Sequence, residues 1–539
     1  MRTRTRMIGL LLLLQAQVDA QAQIRPIDVQ QYRFQIELSD TTNRIQGKAQ
    51  IRLTAASMVN SVTIDLGKYG KDGKGMQVRK IERTGSNPSR LSFEWISADK
   101  IHITLDQPLH KGEEAEIQIE YDGVPRDGLI ISKNKYGNRT FFADNWPNRA
   151  HQWIPCIDEP GDKAAVAFHV TAPDKYAVIA NGIQQSREIN QDRATTHWEE
   201  KTPLPTKVMV IGVAQFAVDT VGYFQKSIPV TSWVFPPDSS VGFNTYAQAL
   251  PILKWMSNYI GPYAYKKLAN VQSKTIFGGM ENASAIFYYE NSVKGSGDEE
   301  ALIAHEIAHQ WFGNMATEKS FHHLWLSEGF ATYLTHLYLE STYGDSMLKT
   351  RLQADREKIN EFLSRTPRSV IDTSANYMSL LNANSYEKGG WVLHMIRKQV
   401  GDSVFQQIIR AYYETYQGKN ADTDDFRKVV ESITATDWSA FFNQWLTQKV
   451  NPSLQIQWEN SADGKFTTLL IRQLQQTAPF SLPLSLDLMN DAGTKKRVTI
   501  RVTKNEETFK LPTQGIINSI VIDADTELLI DKLILVQKG

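Results

Sequence analysis

Between Tyr32 and Tyr223, apolar and polar residues alternate in short runs such as YRFQIEL, KAQIRLTAAS, SVTIDLG, IHITLD and AEIQIEY. Successive side chains of a strand point to opposite faces. A period of two, interrupted by Gly, Asp and Asn, therefore predicts antiparallel strands with one buried face. From about Gly242 to Val450 the period lengthens. TYAQALPILKWMSNYI and DSVFQQIIRAYYETY space their apolar residues three and four apart, which predicts amphipathic helices. After Asn451-Pro452 the alternation returns in LQIQW, FTTLLIRQL, LPLSLDLM, KRVTIRV and SIVIDA, with the length and rhythm of a small β-sandwich. The predicted fold class is multidomain α+β. An all-β domain covers residues 23–223, a mainly helical domain 224–450, and a C-terminal β-sandwich 451–539.

The first 22 residues fit none of these patterns. Arg2, Arg4 and Arg6 precede an apolar run from Ile8 to Leu14 that is too short to span a bilayer. Ala20-Gln21-Ala22 then supplies a small-x-small cleavage site, so residues 1–22 read as a secretory signal peptide. The expected location is secreted or periplasmic, with no stable membrane insertion. Cys156 is the single cysteine, which leaves no internal disulfide and suits a bacterial periplasm.

Charge changes the picture only by exclusion. Lys plus Arg and Asp plus Glu both number 59, so no basic excess is available to neutralise phosphates, and nucleic acid is not an expected partner.

The candidate chemistry lies in the helical region, at HEIAH, residues 305–309. Residues four apart share a helix face, so the imidazoles of His305 and His309 can converge on one ion, with Glu306 beside it. Ser296 followed by Glu299 suggests a capping box, and the helix is expected to run from about Ser296 to Asn314. A catalytic zinc needs three protein ligands and one open position. Glu328, in the first turn of a second predicted helix, WLSEGFATYLTHLYLE, follows His309 with 18 residues between them. A loop of about ten residues and a returning helix would bring it back to the ion. His305, His309 and Glu328 are thus the expected ligands of one Zn²⁺ per chain. The plain alternative is two hydrogen-bonded histidines on an amphipathic helix.

HExxH, 18 residues and then Glu, as in HEIAHQWFGN and WLSEGFATY, resembles the M1 family of zinc aminopeptidases. Gly278-Gly279-Met280-Glu281-Asn282 looks like that family's G-x-M-E-N exopeptidase motif, and Tyr386-Glu387-Lys388-Gly389 is similar to its Y-x-K-G motif. WIPCIDEP, residues 153–160, resembles a motif of its N-terminal domain. The resemblance implies a thermolysin-like catalytic domain, Glu306 as general base, and Tyr386 as donor to the oxyanion. It also implies residues 278–282 as the substrate-binding segment, with Glu281 holding the free α-amine of a peptide. LANVQSKTIF, just upstream, is the expected strand along which substrate lies. Against that family the sequence reads as a short form, without the large C-terminal helical domain of many relatives.

Some positions depart from the pattern. Trp146 stands where many relatives carry a second amine anchor, and Asp144 is the nearby candidate substitute. Ser327 replaces the usual Asn of W-L-N-E, and His323 a frequent Asp. His322 and His323 are expected to be loop or supporting groups and not ligands. The expected activity is removal of N-terminal residues from peptides with a free N-terminus. Epoxide hydrolysis and a catalytically silent binding scaffold are the alternatives. A silent scaffold would be expected to lose Glu306, Tyr386 or a ligand, and all are present.

Overall fold

The computed structural model describes residues 25–85, 88–295, 299–374 and 376–538. The expected leader, residues 1–22, and Ser296 as helix cap lie outside the described residues.

The N-terminal region is built on an eight-stranded sheet. Its centre is Ile27–Glu37, which pairs antiparallel with Ile45–Ala55 and parallel with Lys163–Pro173. Ile27 and Val29 are buried, and so are Tyr32, Phe34 and Ile36, so the buried phase shifts by one residue between them. A register irregularity between Val29 and Gln31 absorbs the extra residue, as a bulge does. Smaller sheets of four and three strands complete this β-rich region.

The sheet that carries the site begins earlier in the chain than the helical pattern does. Ala217–Phe224 and Ile228–Val234 form a hairpin in a five-stranded sheet, followed in space by Leu268–Ser273, Ala285–Tyr289 and the edge strand Gly279–Met280. Leu268–Ser273 is paired on both sides and buried throughout. Among its polar members, Gln272 accepts from the Phe235 N–H and donates to Asp238 and to the Glu290 carbonyl. Of the expected segment LANVQSKTIF, the part that forms this strand, LANVQS, therefore has no free edge for a substrate, whereas the short strand Gly279–Met280 has one.

Helices dominate from Ser239 to Thr447. Thr423–Thr434 shows how local sequence fixes an end, with Asp422 and Asp425 forming a reciprocal capping box. Beyond Ser453 the chain returns to strands, arranged as one sheet of four and one of three. No helix among the described residues is long and apolar enough to cross a membrane.

Candidate metal centre and active site

The helix bearing HEIAH spans Glu299–Ala308 and buries Ile303, Ala304, Ile307 and Ala308 against the core. It ends six residues short of Asn314, where the sequence pattern placed its end. Gly313, at φ +116°, turns the chain, and the Asn314 N–H returns to the His309 carbonyl. A Cβ at Gly313 would sit 2.3 Å from Ser327 Oγ and 3.1 Å from His309 Nδ1, so the turn leaves no room for a side chain. His309 lies just past the helix, but its N–H still reaches the His305 carbonyl, which keeps the i, i+4 alignment of the two imidazoles.

Glu328, in the first turn of the helix Trp325–Tyr343, completes the cluster. His305 Nε2 and His309 Nε2 are 3.1 Å apart, and each is 3.2 Å from Glu328 Oε2. Three ligands about 2.1 Å from a tetrahedral zinc stand about 3.4 Å from one another, so this nitrogen and oxygen set fits that ion. His309 Nδ1 faces the Phe312 carbonyl at 3.1 Å and Ser327 Oγ at 3.1 Å. Donation from Nδ1–H to the carbonyl leaves the Nε2 lone pair free for a metal. Among the described residues, His305, His309 and Glu328 are the one group of three His, Cys, Asp or Glu side chains placed so that they could hold a metal ion.

The cluster opens into a cleft of about 260 Å³. Gly278, Gly279, Met280, Glu281, Glu306 and Tyr386 all line it. A Cβ on Gly279 would fall 2.2 Å from Glu306 Oε1, so glycine lets the edge strand lie against this carboxylate. Asn282 is not part of the lining; it is fully buried. Tyr386 sits in a π-helical turn, Asn384–Lys388, and stacks on His305 at 5.9 Å between ring centres.

Glu281 is 5% exposed, and its Oε1 has no hydrogen-bond partner. Its main chain is held firmly: the Glu281 carbonyl accepts from Gln310 Nε2 at 2.9 Å and from Asn314 Nδ2 at 2.7 Å. Both donors come from the QWFGN turn after the histidines. That turn is gripped in its own right by the N-terminal region. Lys163 Nζ donates to the carbonyls of Asn314, Met315 and Lys419, and Lys207 pairs with Glu318 at 2.5 Å in full burial.

Electrostatics divide the carboxylates. Burial is the largest influence on Glu306 and raises it well above the usual range; the charges of Glu281 and Glu328 raise it further, while His309 opposes. Burial also acts to raise Glu328, but His309 and His305 outweigh it and hold that carboxyl below its usual range. Tyr386 is pushed well above an ordinary phenol, first by burial and then by Glu328, Glu281 and Glu306. It therefore keeps a proton to donate.

Other candidates are placed elsewhere. Asp144 is fully buried, paired with Arg149 at 2.7 Å and accepting from Thr275 Oγ1 and the Ile276 N–H. With both oxygens so engaged, it is not a substitute anchor. His322 Nδ1 faces the Asp372 carbonyl and His323 Nδ1 faces Thr423 Oγ1, outside the metal cluster. Trp146, Phe277, Leu302 and Leu381 line the cleft; of these the sequence had marked Trp146, as a departure, and Phe277, as the last residue of LANVQSKTIF. Gln310 and Asn314 were visible as polar residues continuing the histidine motif, but their service to Glu281 was not.

The peptidase family M1 domain matches residues 244–445, and the peptidase M1 N-terminal domain matches residues 29–208. The chain is 28% identical to human glutamyl aminopeptidase over 336 residues, 58% of this chain and 34% of that protein. It is 25% identical to probable aminopeptidase 1 of Sulfurisphaera tokodaii over 495 residues, 86% of this chain and 61% of that protein. Rat aminopeptidase N is 25% identical over 463 residues, covering 78% and 47%. The matches thus span between about a third and three-fifths of these relatives' lengths. Two family domains matched in order across the β-rich and helical regions, with the histidine–glutamate cluster inside the second, show that the chain belongs to peptidase family M1.

Proposed function

We propose that the protein is a zinc aminopeptidase that removes residues from the free N-terminus of peptides. The observation that carries this reading is Glu281. A buried carboxylate oxygen without a partner, in the same cleft as the His305–His309–Glu328 cluster, calls for a cation supplied by the substrate. A peptide's α-ammonium is such a cation, and it marks a chain end.

His305, His309 and Glu328 would hold the zinc, one per chain, which when bound polarises the scissile carbonyl and acidifies water. Glu281 fixes the ammonium and so sets how far the first peptide bond reaches into the cleft. Glu306 takes a proton from the attacking water onto its carboxylate, then passes it to the nitrogen of the departing amine. Its raised affinity for protons suits the second half of that task. Tyr386 donates its phenolic hydrogen to the carbonyl oxygen as negative charge gathers there. Gly278 and Gly279 leave the edge strand open to a substrate backbone.

Export after removal of residues 1–22, a thermolysin-like catalytic region, and packing of the two C-terminal sheets as a β-sandwich complete the reading. The test uses one peptide in two forms, unblocked and N-acetylated, with and without chelator, and products identified by mass. Stepwise loss of residues from the unblocked form alone, abolished by chelator, is expected. Internal cuts in the acetylated form at a comparable rate would replace this reading with an endopeptidase.

A further inference from the structure

One side of the cleft is a hydrocarbon wall. Trp146 reaches it from the N-terminal region, 2% exposed, with its ring set edge-to-face on Phe277 at 6.1 Å and on Phe321 at 5.8 Å. Met280, Leu302 and Leu381 extend the same lining. The charged side chains of the lining are Glu281, Glu306 and Glu328, and no Lys or Arg is among the described lining residues. Arg149 stands behind the wall, over the Phe277 ring at 5.8 Å, with its guanidinium committed to Asp127 and Asp144.

We propose that Trp146 is a specificity-determining residue for the first residue of the substrate, selecting an uncharged apolar or aromatic side chain and rejecting an acidic one. This rests on the aminopeptidase reading above. Once the ammonium is on Glu281 and the first carbonyl is at the histidine cluster, the first side chain must occupy the rest of the cleft, against this wall. A leucine, methionine or phenylalanine side chain exchanges water for the faces of Trp146 and Phe277 and brings no polar group of its own that needs a partner. A carboxylate there would lose its hydration, find no cation, and face three like charges. A lysine or arginine would also be dehydrated, while the carboxylates it meets already serve the ammonium, the metal cluster and proton transfer. Trp146 cannot hold the ammonium itself. Its indole Nε1 is buried without a partner and is a donor, as the ammonium is.

The experiment measures kcat/KM on fluorogenic amides of Leu, Met, Phe, Ala, Glu, Asp, Lys and Arg that share one leaving group. For the wild-type protein, Leu, Met and Phe should exceed Glu and Asp by about 10²-fold or more, and Lys and Arg by about tenfold or more. Trp146→Ala should lower the Phe-to-Ala ratio by about tenfold, whereas Trp146→Phe should keep the ranking. An acidic or basic amide cut as well as Leu would overturn the proposal, as would an unchanged Phe-to-Ala ratio in Trp146→Ala. If Trp146→Ala does not fold, the wild-type ranking still decides. Failure of every unblocked amide would instead count against the aminopeptidase reading.

Discussion

Gly329 and Gly389 meet backbone to backbone: a Cβ added to Gly329 would lie 2.8 Å from the Cα of Gly389, and one added to Gly389 would lie 2.9 Å from the Cα of Gly329. The contact joins the helix Trp325–Tyr343, which carries Glu328, to the helix Gly389–Val400, which begins three residues after Tyr386. Two glycines therefore set the spacing between Glu328 and the Tyr386 phenol. Gly389→Ala should force the helices apart at a cost of about 1–3 kcal/mol. It should lower the thermal midpoint and reduce kcat more than KM, as Tyr386 moves off its target. An alanine variant with wild-type midpoint and turnover would show that the spacing is not critical.

The metal assignment predicts about one zinc per chain by elemental analysis, lost in His309→Ala. Ser327 sharpens this, because its hydroxyl lies 3.1 Å from the ring nitrogen of His309 that faces away from the cluster. Ser327→Ala should weaken zinc binding about tenfold in competition with a chelator, since outer partners orient ligands. Equal zinc retention by Ser327→Ala and wild type would leave orientation of His309 to the Phe312 carbonyl alone.

Glu306→Gln should retain zinc and lose most activity, because an amide cannot accept the proton of water. Tyr386→Phe should also retain zinc and lose about 10²-fold or more in kcat. Loss of metal from Glu306→Gln would mean that this carboxylate is a ligand, and near-normal turnover by Tyr386→Phe would make the phenol structural.

Acid stability should depend on His394. Its Nδ1 accepts from the Tyr333 hydroxyl at 2.8 Å and its Nε2–H donates to the Thr526 carbonyl at 2.9 Å, which ties the helical region to the C-terminal strands. Burial pushes this histidine down to about 3. The unfolded chain, near 6.5, binds the proton first, so stability is present above pH 6.5 and is lost as pH falls from there towards 3. The loss amounts to about 2 kcal/mol at pH 5. His394→Gln should start less stable at pH 7 and show a shallower decline of thermal midpoint with acid. Parallel curves for the two proteins would assign the decline to other groups.

The parts of this site that were legible in the sequence are those fixed by short-range geometry. His305 and His309 share a face because helical periodicity demands it, and Glu328 follows from loop length and a first-turn position. What could not be read depends on partners far away in the chain. LANVQS has the composition of a strand, but only its neighbours on both sides make it interior. Asp144 and Trp146 are two residues apart, and nothing local says that Arg149 and the Thr275-Ile276 segment take the first while Phe277 and Phe321 take the second. The early end of the metal helix turns on Gly313 making way for Ser327, a residue on another helix. The β-rich, helical and β-rich succession followed directly from hydrophobic period, whereas the placement of Ala217–Phe224 in the five-stranded sheet required knowing its pairing.

The grip of Lys163 on the Asn314 carbonyl makes the two matched family domains inseparable in one respect. Asn314 holds the main chain of Glu281, so the carboxylate proposed to read a peptide's end is positioned partly by a lysine outside the helical region. Under the proposed function, a helical region grafted onto a foreign β-rich partner would keep its histidine–glutamate cluster yet lose the lysine that holds the turn behind Glu281. On that proposal, reading a peptide's end would depend on the N-terminal region as well as on the region that carries the cluster.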